Sequence, residues 1–401
     1  MYIERTLSKV IREATESFPV VLITGPRQTG KTTIFEQNIE PSRTYVTLDD
    51  PQIRTLAVND PHLFLQTYRP PLFIDEIQYA PSLFPYIKME VDKTRQKGLF
   101  WLTGSQQFNL MKDVSESLAG RVAILELQGL SQAEKNGQNA LPFLPDTLAP
   151  DNRPTYNLYS LYETIWRGSF PELHANLNLN RTLFYSSYFK TYIERDIRQL
   201  MQVSDEHRFL TFVKTAAART GQLLNYNDMA KDVDVSANTI KSWISVLETT
   251  GLIFLLQPYH NNIANRTLKT PKLYFFDTGL CAYLCGWETA KTLASGAMNG
   301  AILETYIVSE IVKSHRHNGL SVNIWFYRDR DKKEIDLLIE RNGVLYPVEI
   351  KRSASPKTDD VKHFNALTRM GLQTGKGSLI CLYDKLLPLN DQVTIVPVGY
   401  L

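Results

Sequence analysis

The segment that most constrains the fold of this chain is a run of five residues typical of a buried strand, followed directly by a glycine-rich loop. Val20–Thr24 reads VVLIT, and residues 25–32 read GPRQTGKT. The apolar run predicts a buried strand, and the residues from Lys31 to Gln37 can continue as a helix. A strand that enters a Gly-x-x-x-x-Gly-Lys-Thr loop and leaves it as a helix is the P-loop pattern, in which backbone N–H groups surround phosphate oxygens.

The residue types of this loop suggest how the phosphates of ATP would be held. Glycines let the backbone curl, and the following helix adds the positive end of its dipole. Lys31 is predicted to bridge the β- and γ-phosphates, Thr32 to hold Mg²⁺, and Arg27 to neutralise phosphate within the same chain. The predicted nucleotide-binding set is Gly25, Pro26, Arg27, Gln28, Thr29, Gly30, Lys31, Thr32 and Thr33.

A second apolar run ends in two acids. Leu72–Asp75 is predicted to be an inner strand of a parallel sheet, and ligands of such sheets bind at the carboxyl ends of the strands. Asp75 is therefore predicted to be the carboxylate on the magnesium side, and Glu76 to orient and polarise the attacking water. A third strand, Phe100–Thr103, leads to a position beside the γ-phosphate, where Ser105 or Thr103 could supply a polar side chain. The alternative for the two acids is a solvated turn.

Length and composition limit the remaining possibilities. A chain of 401 residues is longer than one hydrophobic core usually serves, so two or three domains are expected. The net charge is only +2, so DNA binding would need a local basic patch. Three cysteines form no disulfide framework, and no apolar run approaches the ~18–20 residues that span a bilayer. These features predict a soluble, cytoplasmic protein that does not enter a membrane.

Changes in pattern along the chain predict a multi-domain α/β protein. Strands of the first region are expected at Val20–Thr24, Tyr45–Leu48, Leu72–Asp75, Phe100–Thr103 and Val122–Leu127. Alternating strands and helices of this kind predict a parallel sheet. The predicted units are a P-loop domain (1–135), a linker (136–155), a helical lid or connector (156–205), a winged-helix-like domain (206–268) and a C-terminal α/β domain (269–401).

The middle of the chain shows a helix-turn-helix pattern. A helix is followed by a turn at Asp234–Ser236 and a second helix for which Ser236 is the expected N-cap. In DNA-binding examples the second helix enters the major groove. The side chains expected to be exposed on it are Asn238, Thr239, Lys241 and Ser242, and Arg266, Lys269 and Lys272 follow in the segment expected to form a wing. Contact with DNA and a structural or protein-binding role both remain open.

A group of charged residues interrupts apolar runs in the C-terminal region. Glu349 and Lys351 alternate along one predicted strand and should project to the same side. With Glu304 and Asp336 they form a candidate second Mg²⁺ site (Glu304, Asp336, Glu349) and a candidate nuclease site (Asp336, Glu349, Lys351). Carboxylates can hold Mg²⁺ against a phosphate, and a lysine can position or deprotonate the attacking water. His315 and His317 are interpreted as surface residues.

These motifs together resemble a known family. The loop, DEIQ, LTGSQQF and SLAGRVAILEL are joined by RGSFPEL (167–173), YFKTYIERDI (188–197), PKLYFFDTGL (271–280) and the stretch from EIDLLIE to PVEIK (334–351). The chain is similar to prokaryotic AAA-superfamily ATPases with a C-terminal domain of unassigned function. RGSFPEL departs slightly from the Gly-Gly-Phe-Pro-Glu run that is common in the family.

The resemblance implies an AAA core, a winged-helix segment and a restriction-endonuclease-like C-terminal fold, similar to archaeal Holliday-junction resolvases. It also implies a role for Arg121, because the position before the last strand of AAA-type ATPases often holds an arginine finger that reaches a neighbouring subunit. A homo-oligomer is expected on that ground, with a plain surface arginine as the alternative.

Two functions follow, both with ATP and Mg²⁺ as cofactors. In the first, ATP hydrolysis regulates a nuclease that acts on branched or double-stranded DNA. In the second, the protein is a nucleotide-controlled switch or scaffold in signalling, defence or a toxin–antitoxin pair, and its endonuclease-like domain binds protein or DNA without cutting it.

Overall fold

The N-terminal region is built on a parallel sheet. The computed structural model of the protein describes residues 2–104, 111, 114–138, 140–193, 206–260 and 270–401. The five strands lie in the order β2-β3-β4-β1-β5. Their bounds are Val20–Thr24 (β1), Thr44–Thr47 (β2), Leu72–Asp75 (β3), Phe100–Gly104 (β4) and Val122–Glu126 (β5). The predicted strands are therefore confirmed to within one residue at each end.

Helices cover both faces of this sheet. The helices α1 and α2 pack on one face, and α3, α4 and α5 pack on the other. Their bounds are Leu7–Ser17 (α1), Lys31–Asn38 (α2), Pro51–Asn59 (α3), Pro61–Thr67 (α4) and Leu83–Thr94 (α5). Because both faces are covered, β1, β3 and β4 are fully buried, which explains why they read as continuous apolar runs.

Strand β4 pairs with both β1 and β3 although it is fourth in the chain. The parallel direction brings the carboxyl ends of all three strands to one edge of the sheet. The P loop follows β1, Asp75 ends β3, and Thr103 lies near the end of β4. The sheet order therefore places the Thr103 position between the loop and the acidic pair.

The chain after β5 packs against the rest of the molecule. Residues 127–135, called here the post-β5 segment, end in a short helix, Gln132–Lys135 (α6). The predicted linker packs against the C-terminal region. Phe143 and Leu144 are buried, and the Phe143 N–H donates to Ser314 Oγ at 3.0 Å. The helices that follow are Leu158–Arg167 (α7), Pro171–Ala175 (α8) and Arg181–Tyr188 (α9), with a π-helical turn at Phe189–Ile193.

The middle region contains helices and a small antiparallel sheet of order β6-β8-β7. Its elements are Glu206–Ala218 (α10), Gln222–Leu223 (β6), Tyr226–Val233 (α11), Ala237–Thr249 (α12), Ile253–Leu256 (β7) and Lys272–Phe275 (β8). Ser236 Oγ accepts from the Thr239 N–H at 3.0 Å, which confirms the predicted N-cap. Strand β8 lies beyond the predicted boundary at residue 268 and nevertheless completes this sheet.

The C-terminal region has a mixed six-stranded sheet of order β13-β14-β12-β11-β10-β9. The helices before it are Thr278–Leu284 (α13), Ala290–Ser295 (α14) and Asn299–Arg316 (α15). The remaining elements are Ile324–Arg328 (β9), Glu334–Arg341 (β10), Val344–Ile350 (β11), Asn365–Arg369 (α16), Gly377–Cys381 (β12), Leu387–Asn390 (β13) and Val393–Pro397 (β14). One hydrophobic core joins this sheet to the helical and middle regions. Among the described residues, no helix has the length and apolar character that crossing a membrane requires.

Candidate functional site

The P loop joins β1 to α2 in a conformation that depends on its glycines. Gly25 has φ 145° and Gly30 has φ 90°, values that favour glycine. A Cβ atom on Gly25 would lie 2.1 Å from the carbonyl oxygen of Leu127, so a side chain at this position has no room. Gly30 immediately precedes α2, and the N–H groups of that helix's first turn, which have no acceptor within the helix itself, therefore face the loop.

The loop encloses the ammonium group of Lys31. Lys31 Nζ donates to the carbonyl oxygen of Gly25 at 3.0 Å and to that of Pro26 at 2.9 Å. Thr29 Oγ1 also donates to the Pro26 oxygen, at 2.8 Å. The buried lysine thus donates to two neutral carbonyl oxygens, which phosphate oxygens could replace, and its charge also lowers the pKa of Asp75.

Oxygen atoms from three elements meet beside the loop. Thr32 Oγ1 donates to Asp75 Oδ1 at 2.9 Å, and the Thr103 hydroxyl donates to the same oxygen. Burial raises the pKa of Asp75, and the two hydroxyl donors oppose that rise. Tyr45, whose hydroxyl lies 3.4 Å from Asp75 Oδ2, has its pKa raised to about 12 by burial and by this carboxylate. Hydroxyl and carboxylate oxygens are ligands that Mg²⁺ prefers, so Thr32 and Asp75 fit the predicted metal role.

Glu76 lies next to this cluster in an unusual backbone conformation. Its φ of 58° is left-handed, which costs a non-glycine residue roughly 1–2 kcal/mol. Its N–H donates to Thr103 Oγ1 at 3.1 Å, and its carboxylate accepts from Gln78. Backbone strain of this kind is concentrated at functional sites. Ser105, the other predicted γ-phosphate contact, lies outside the described residues.

The two candidate arginines lie in different places. Arg27 is half-buried within the P loop. Arg121 precedes β5, and because β5 runs parallel to β1 it lies at the edge of the sheet opposite the loop. Its guanidinium pairs with the Asp92 carboxylate through contacts of 2.6 and 3.1 Å. Arg121 is therefore remote from its own P loop, and its role towards a neighbouring subunit stays a prediction.

A cavity of about 310 Å³ opens beside the start of α2. Its volume lies at the lower end of the range typical of small-molecule pockets. Residues from four separate parts of the chain line it: Tyr2, Ile3, Arg5, Gly30, Thr33, Leu130, Pro171, Glu172 and Ala175. The motif RGSFPEL thus lines a cavity beside the P loop through Pro171 and Glu172. The spacing of the motifs in the sequence did not indicate this position.

The C-terminal charged residues are arranged around a lysine that was expected elsewhere. Lys272 Nζ contacts Glu304 Oε1 at 2.9 Å and Glu334 Oε1 at 2.6 Å, and the Tyr274 hydroxyl donates to Glu304 Oε1 at 2.5 Å. Lys272 is buried. Lys272 lies in β8 of the small sheet, but its predicted availability as a wing cation for phosphate is wrong, because its side chain is buried and paired with the carboxylates. The other predicted wing cations, Arg266 and Lys269, lie outside the described residues.

The remaining acids of the cluster also have internal partners. Asp336 Oδ2 accepts from the Ile350 N–H at 2.8 Å, and Glu349 Oε1 lies 2.5 Å from Lys351 Nζ. Burial raises the pKa of Asp336 well above its usual range, and the nearby carboxylates of Glu304 and Glu349 add to the rise.

The predicted second metal site is not assembled. In the ranges that the structure describes, no three Asp, Glu, His or Cys side chains are grouped so that they could hold a metal ion. The physical reason is that Lys272 neutralises Glu304, and Lys351 neutralises Glu349. Glu304, Asp336 and Glu349 are neighbours, but they surround lysine ammonium groups.

Two further residues differ from their predicted exposure. His315 and His317 were expected at the surface, and both are buried. Of the positions of α12 that were expected to be exposed, Asn238, Lys241 and Ser242 are exposed and Thr239 is half-buried.

Comparison with known proteins identifies the N-terminal region by its family. A family model described as an AAA domain matches residues 17–136. Residues 158–291 and 299–401 match two families described as domains of unknown function, DUF8612 and DUF4143. The resemblance of the P-loop region to AAA ATPases is thereby confirmed, whereas the C-terminal match assigns neither a nuclease fold nor an activity.

Similar proteins occur in mycobacteria. The uncharacterized proteins Mb2031c of Mycobacterium bovis and Rv2008c of Mycobacterium tuberculosis are each 29% identical over 393 residues, which is 96% of this chain and 82% of the relative. Among solved structures, the Walker-type ATPase PABY2304 of Pyrococcus abyssi has a TM-score of 0.45 and 14% identity, covering 71% of this chain and 96% of that chain.

Proposed function

We propose that the protein binds ATP together with Mg²⁺ and hydrolyses the terminal phosphate at the P loop. The observation that supports this most is the meeting of Thr32, Thr103 and Asp75 beside the enclosed ammonium group of Lys31. An AAA-type sheet presents these groups at one edge, which is where ligands of such sheets bind.

Each residue of the site has a distinct task in this reaction. Lys31 exchanges the loop carbonyls for phosphate oxygens. Thr32 and Asp75 would hold Mg²⁺, which neutralises charge on the phosphates when bound. Glu76 orients the attacking water and accepts its proton. Thr103 holds both acids in place, because its hydroxyl donates to Asp75 and accepts from the Glu76 N–H.

The cavity beside α2 is proposed to receive the nucleoside part of ATP. It adjoins Gly30 and Thr33, so a nucleotide whose phosphates lie in the loop would extend towards it. Tyr2 and Pro171 would then offer apolar surface to a base. The N-terminal segment and the RGSFPEL motif would in that case contact the same ligand.

The test is the substitution Glu76→Gln in the full-length protein. Because the amide can no longer accept the proton, we expect ATP turnover to fall by about 100-fold or more. Binding of ATP should be retained, as measured with a fluorescent ATP analogue. Glu13→Gln, at an exposed position of α1, is the control and should leave turnover unchanged. Unaltered turnover in Glu76→Gln would remove Glu76 from this role.

For the output of the ATPase, the C-terminal geometry favours the non-cutting alternative. Lys272 and Lys351 already neutralise the acids that a metal-dependent nuclease would need. In the described part of the middle region, which is interpreted as a winged helix, α12 carries one cation, Lys241, and one cation on this helix supplies little phosphate affinity. We therefore propose a nucleotide-controlled switch whose C-terminal domain binds a protein partner.

A Mg²⁺-dependent cleavage assay on branched and double-stranded DNA separates the two outputs. The wild type, Asp336→Ala and Lys351→Ala are expected to give the same background. DNA cleavage by the wild type that both substitutions abolish would establish the nuclease and refute the switch.

A further inference from the structure

Helix α15 buries charged and polar side chains at its C-terminal end. Glu310 is 1% exposed, Lys313 is 2% exposed, and His317, which follows the helix, is 0% exposed. Removing a charge from water costs several kcal/mol unless close partners compensate. The positions of these partners therefore show which part of the molecule the end of α15 packs against.

The partners lie in the post-β5 segment of the ATPase region. Glu310 Oε2 accepts from the Gln132 N–H at 2.7 Å, and Lys313 Nζ donates to the Leu130 oxygen at 3.2 Å. Lys313 also pairs with Glu310 at 2.8 Å. The C-terminal region thus holds the backbone of the segment that leads away from the nucleotide sheet.

From this segment, contacts continue to the P loop through Glu134 and Arg5. Arg5 Nε donates to Glu134 Oε2 at 3.1 Å, and Arg5 Nη1 donates to the Thr29 carbonyl oxygen at 2.8 Å. Arg5 Nη2 donates to the Gln128 oxygen at 2.7 Å. Burial alone would raise the pKa of Glu134, but Arg5 and His317 hold that pKa well below its usual range. Glu134 is therefore ionised and binds Arg5 as a charged pair.

The contact at Thr29 bears directly on phosphate binding. A peptide group is planar, and its carbonyl and N–H point in opposite directions. When Arg5 holds the Thr29 oxygen, the N–H of Gly30 must point away from Arg5. Rotation of this peptide would replace a phosphate-binding N–H with a repelling carbonyl, and the guanidinium prevents that rotation.

His317 completes the chain of contacts in a defined protonation state. The Gln128 N–H can only donate, so His317 Nε2, 3.3 Å away, is the acceptor. The proton of the neutral ring is then on Nδ1, which lies 3.3 Å from Glu134 Oε1 but is not aligned for a hydrogen bond, so the ring and the carboxylate interact as a close polar contact. Burial lowers the pKa of His317, in agreement with a neutral ring. His317 therefore connects the backbone at Gln128 with the carboxylate that holds Arg5.

We propose that Arg5, Glu134 and His317, named here the P-loop relay, keep the loop in its phosphate-binding conformation and make nucleotide affinity depend on the seating of α15. This inference rests on the proposed nucleotide binding. Glu134 and His317 are positioning residues, since they act through Arg5 and the Thr29–Gly30 peptide and not on the reacting atoms. Arg5 also lines the cavity that is proposed for the nucleoside, so the tests below change His317 and leave Arg5 in place. By thermodynamic reciprocity, nucleotide must in turn stabilise the seating of α15.

The main test compares His317→Ala with His315→Ala in the full-length protein. His315 is a matched control because it is buried in the same helix end, but its Nδ1 contacts the Ile311 oxygen of its own helix at 3.0 Å. His317→Ala should weaken binding of a fluorescent ATP analogue about tenfold and raise KM for ATP similarly, with kcat at saturating ATP changed by less than about twofold. His315→Ala should leave both affinity and KM unchanged.

His317→Gln tests the chemistry, because its amide keeps one acceptor and one donor. We expect it to recover most of the lost affinity. A purely structural role of His317 predicts instead that thermal stability falls in both histidine variants while the affinity of the folded protein stays constant. Equal affinities in His317→Ala and His315→Ala would overturn the relay.

A measurement on the wild type keeps the test independent of how well the variants fold. Addition of ATP should slow amide hydrogen exchange in the post-β5 segment and at residues 313–317. Unchanged exchange there, in a protein that binds ATP, refutes the relay alone. A wild type that binds no ATP refutes the proposed function itself, so the two failures are distinguishable.

Discussion

The P-loop site and the C-terminal cluster each contain a buried lysine close to acids, yet the hydrogen bonds described for the two lysines go to different kinds of acceptor. Lys31 donates to two neutral carbonyl oxygens of its own loop. Lys272 pairs with the carboxylates of Glu304 and Glu334. The sequence motifs at the two sites are equally rich in charge, so only the partners distinguish them.

The difference shows which cation remains available to a ligand. Neutral carbonyls can be replaced by phosphate oxygens without leaving an uncompensated charge. Carboxylates cannot, because moving Lys272 would leave the partly buried anions of Glu304 and Glu334 without their counter-charge. A lysine held by backbone is therefore suited to binding, whereas a lysine held by acids is a structural element.

The largest effect should come from removing the internal cation of the C-terminal cluster. In Lys272→Met the carboxylates of Glu304 and Glu334 lose their partner, and because they are 18% and 26% exposed the loss should lie at the lower end of the roughly 3–5 kcal/mol that is typical of a fully buried pair. We expect the free energy of unfolding, measured by urea denaturation at neutral pH, to fall by about that amount.

Lys333→Met provides the matched control for this change. Lys333 pairs with Asp331 at 3.2 Å, but both side chains are exposed, so the loss should be about 0–1 kcal/mol. If Mn²⁺ restores the stability of Lys272→Met, the cluster is a latent metal site and the contrast with the P loop breaks down.

A smaller effect of opposite sign is expected at the P-loop site. Burial raises the pKa of Asp75, so its ionised form destabilises the folded protein above that pKa, and stability is regained as the pH falls through it. Asp75→Asn removes the charge and should raise the free energy of unfolding by about 1 kcal/mol at neutral pH. The gain should shrink under acid conditions, and binding of ATP with Mg²⁺ should weaken.

Asp92→Asn serves as the control for Asp75→Asn. The Asp92 carboxylate is at the surface, where it pairs with Arg121, and its loss should not stabilise the protein. Equal free energies of unfolding for the wild type and Asp75→Asn would show that the ionised Asp75 carboxylate does not destabilise the folded protein.

Local pattern was sufficient to predict the P-loop region. The inner strands β1 and β3 are buried on both faces, and that environment requires the uninterrupted apolar runs by which they were located. Thr32 and Asp75 are expected at one site and are in contact in the structure. The reason is that a loop after one parallel strand and an acid at the end of another must lie at the same edge of the sheet.

Contacts between distant segments could not be predicted in this way. Lys272 meets Glu304 and Glu334 only after β8 and β10 are brought together, although a lysine inside the fully buried strand KLYF was a signal that it needed internal partners. His317 was taken for a surface residue because charged neighbours surround it in sequence. Arg5 offered no signal, since its partners lie 24 to 129 residues away.

The close approach of Gly25 to Leu127 has a consequence for how this sequence can change over time. The space for even one methyl group at Gly25 is taken by the backbone of Leu127, and no side-chain change at residue 127 can move a carbonyl oxygen out of the way. A substitution at Gly25 would become acceptable only after the path of the post-β5 segment had shifted. Glycine at position 25 is therefore required by the backbone of Leu127, which is distant in sequence, as well as by the proposed contact of the loop with phosphate.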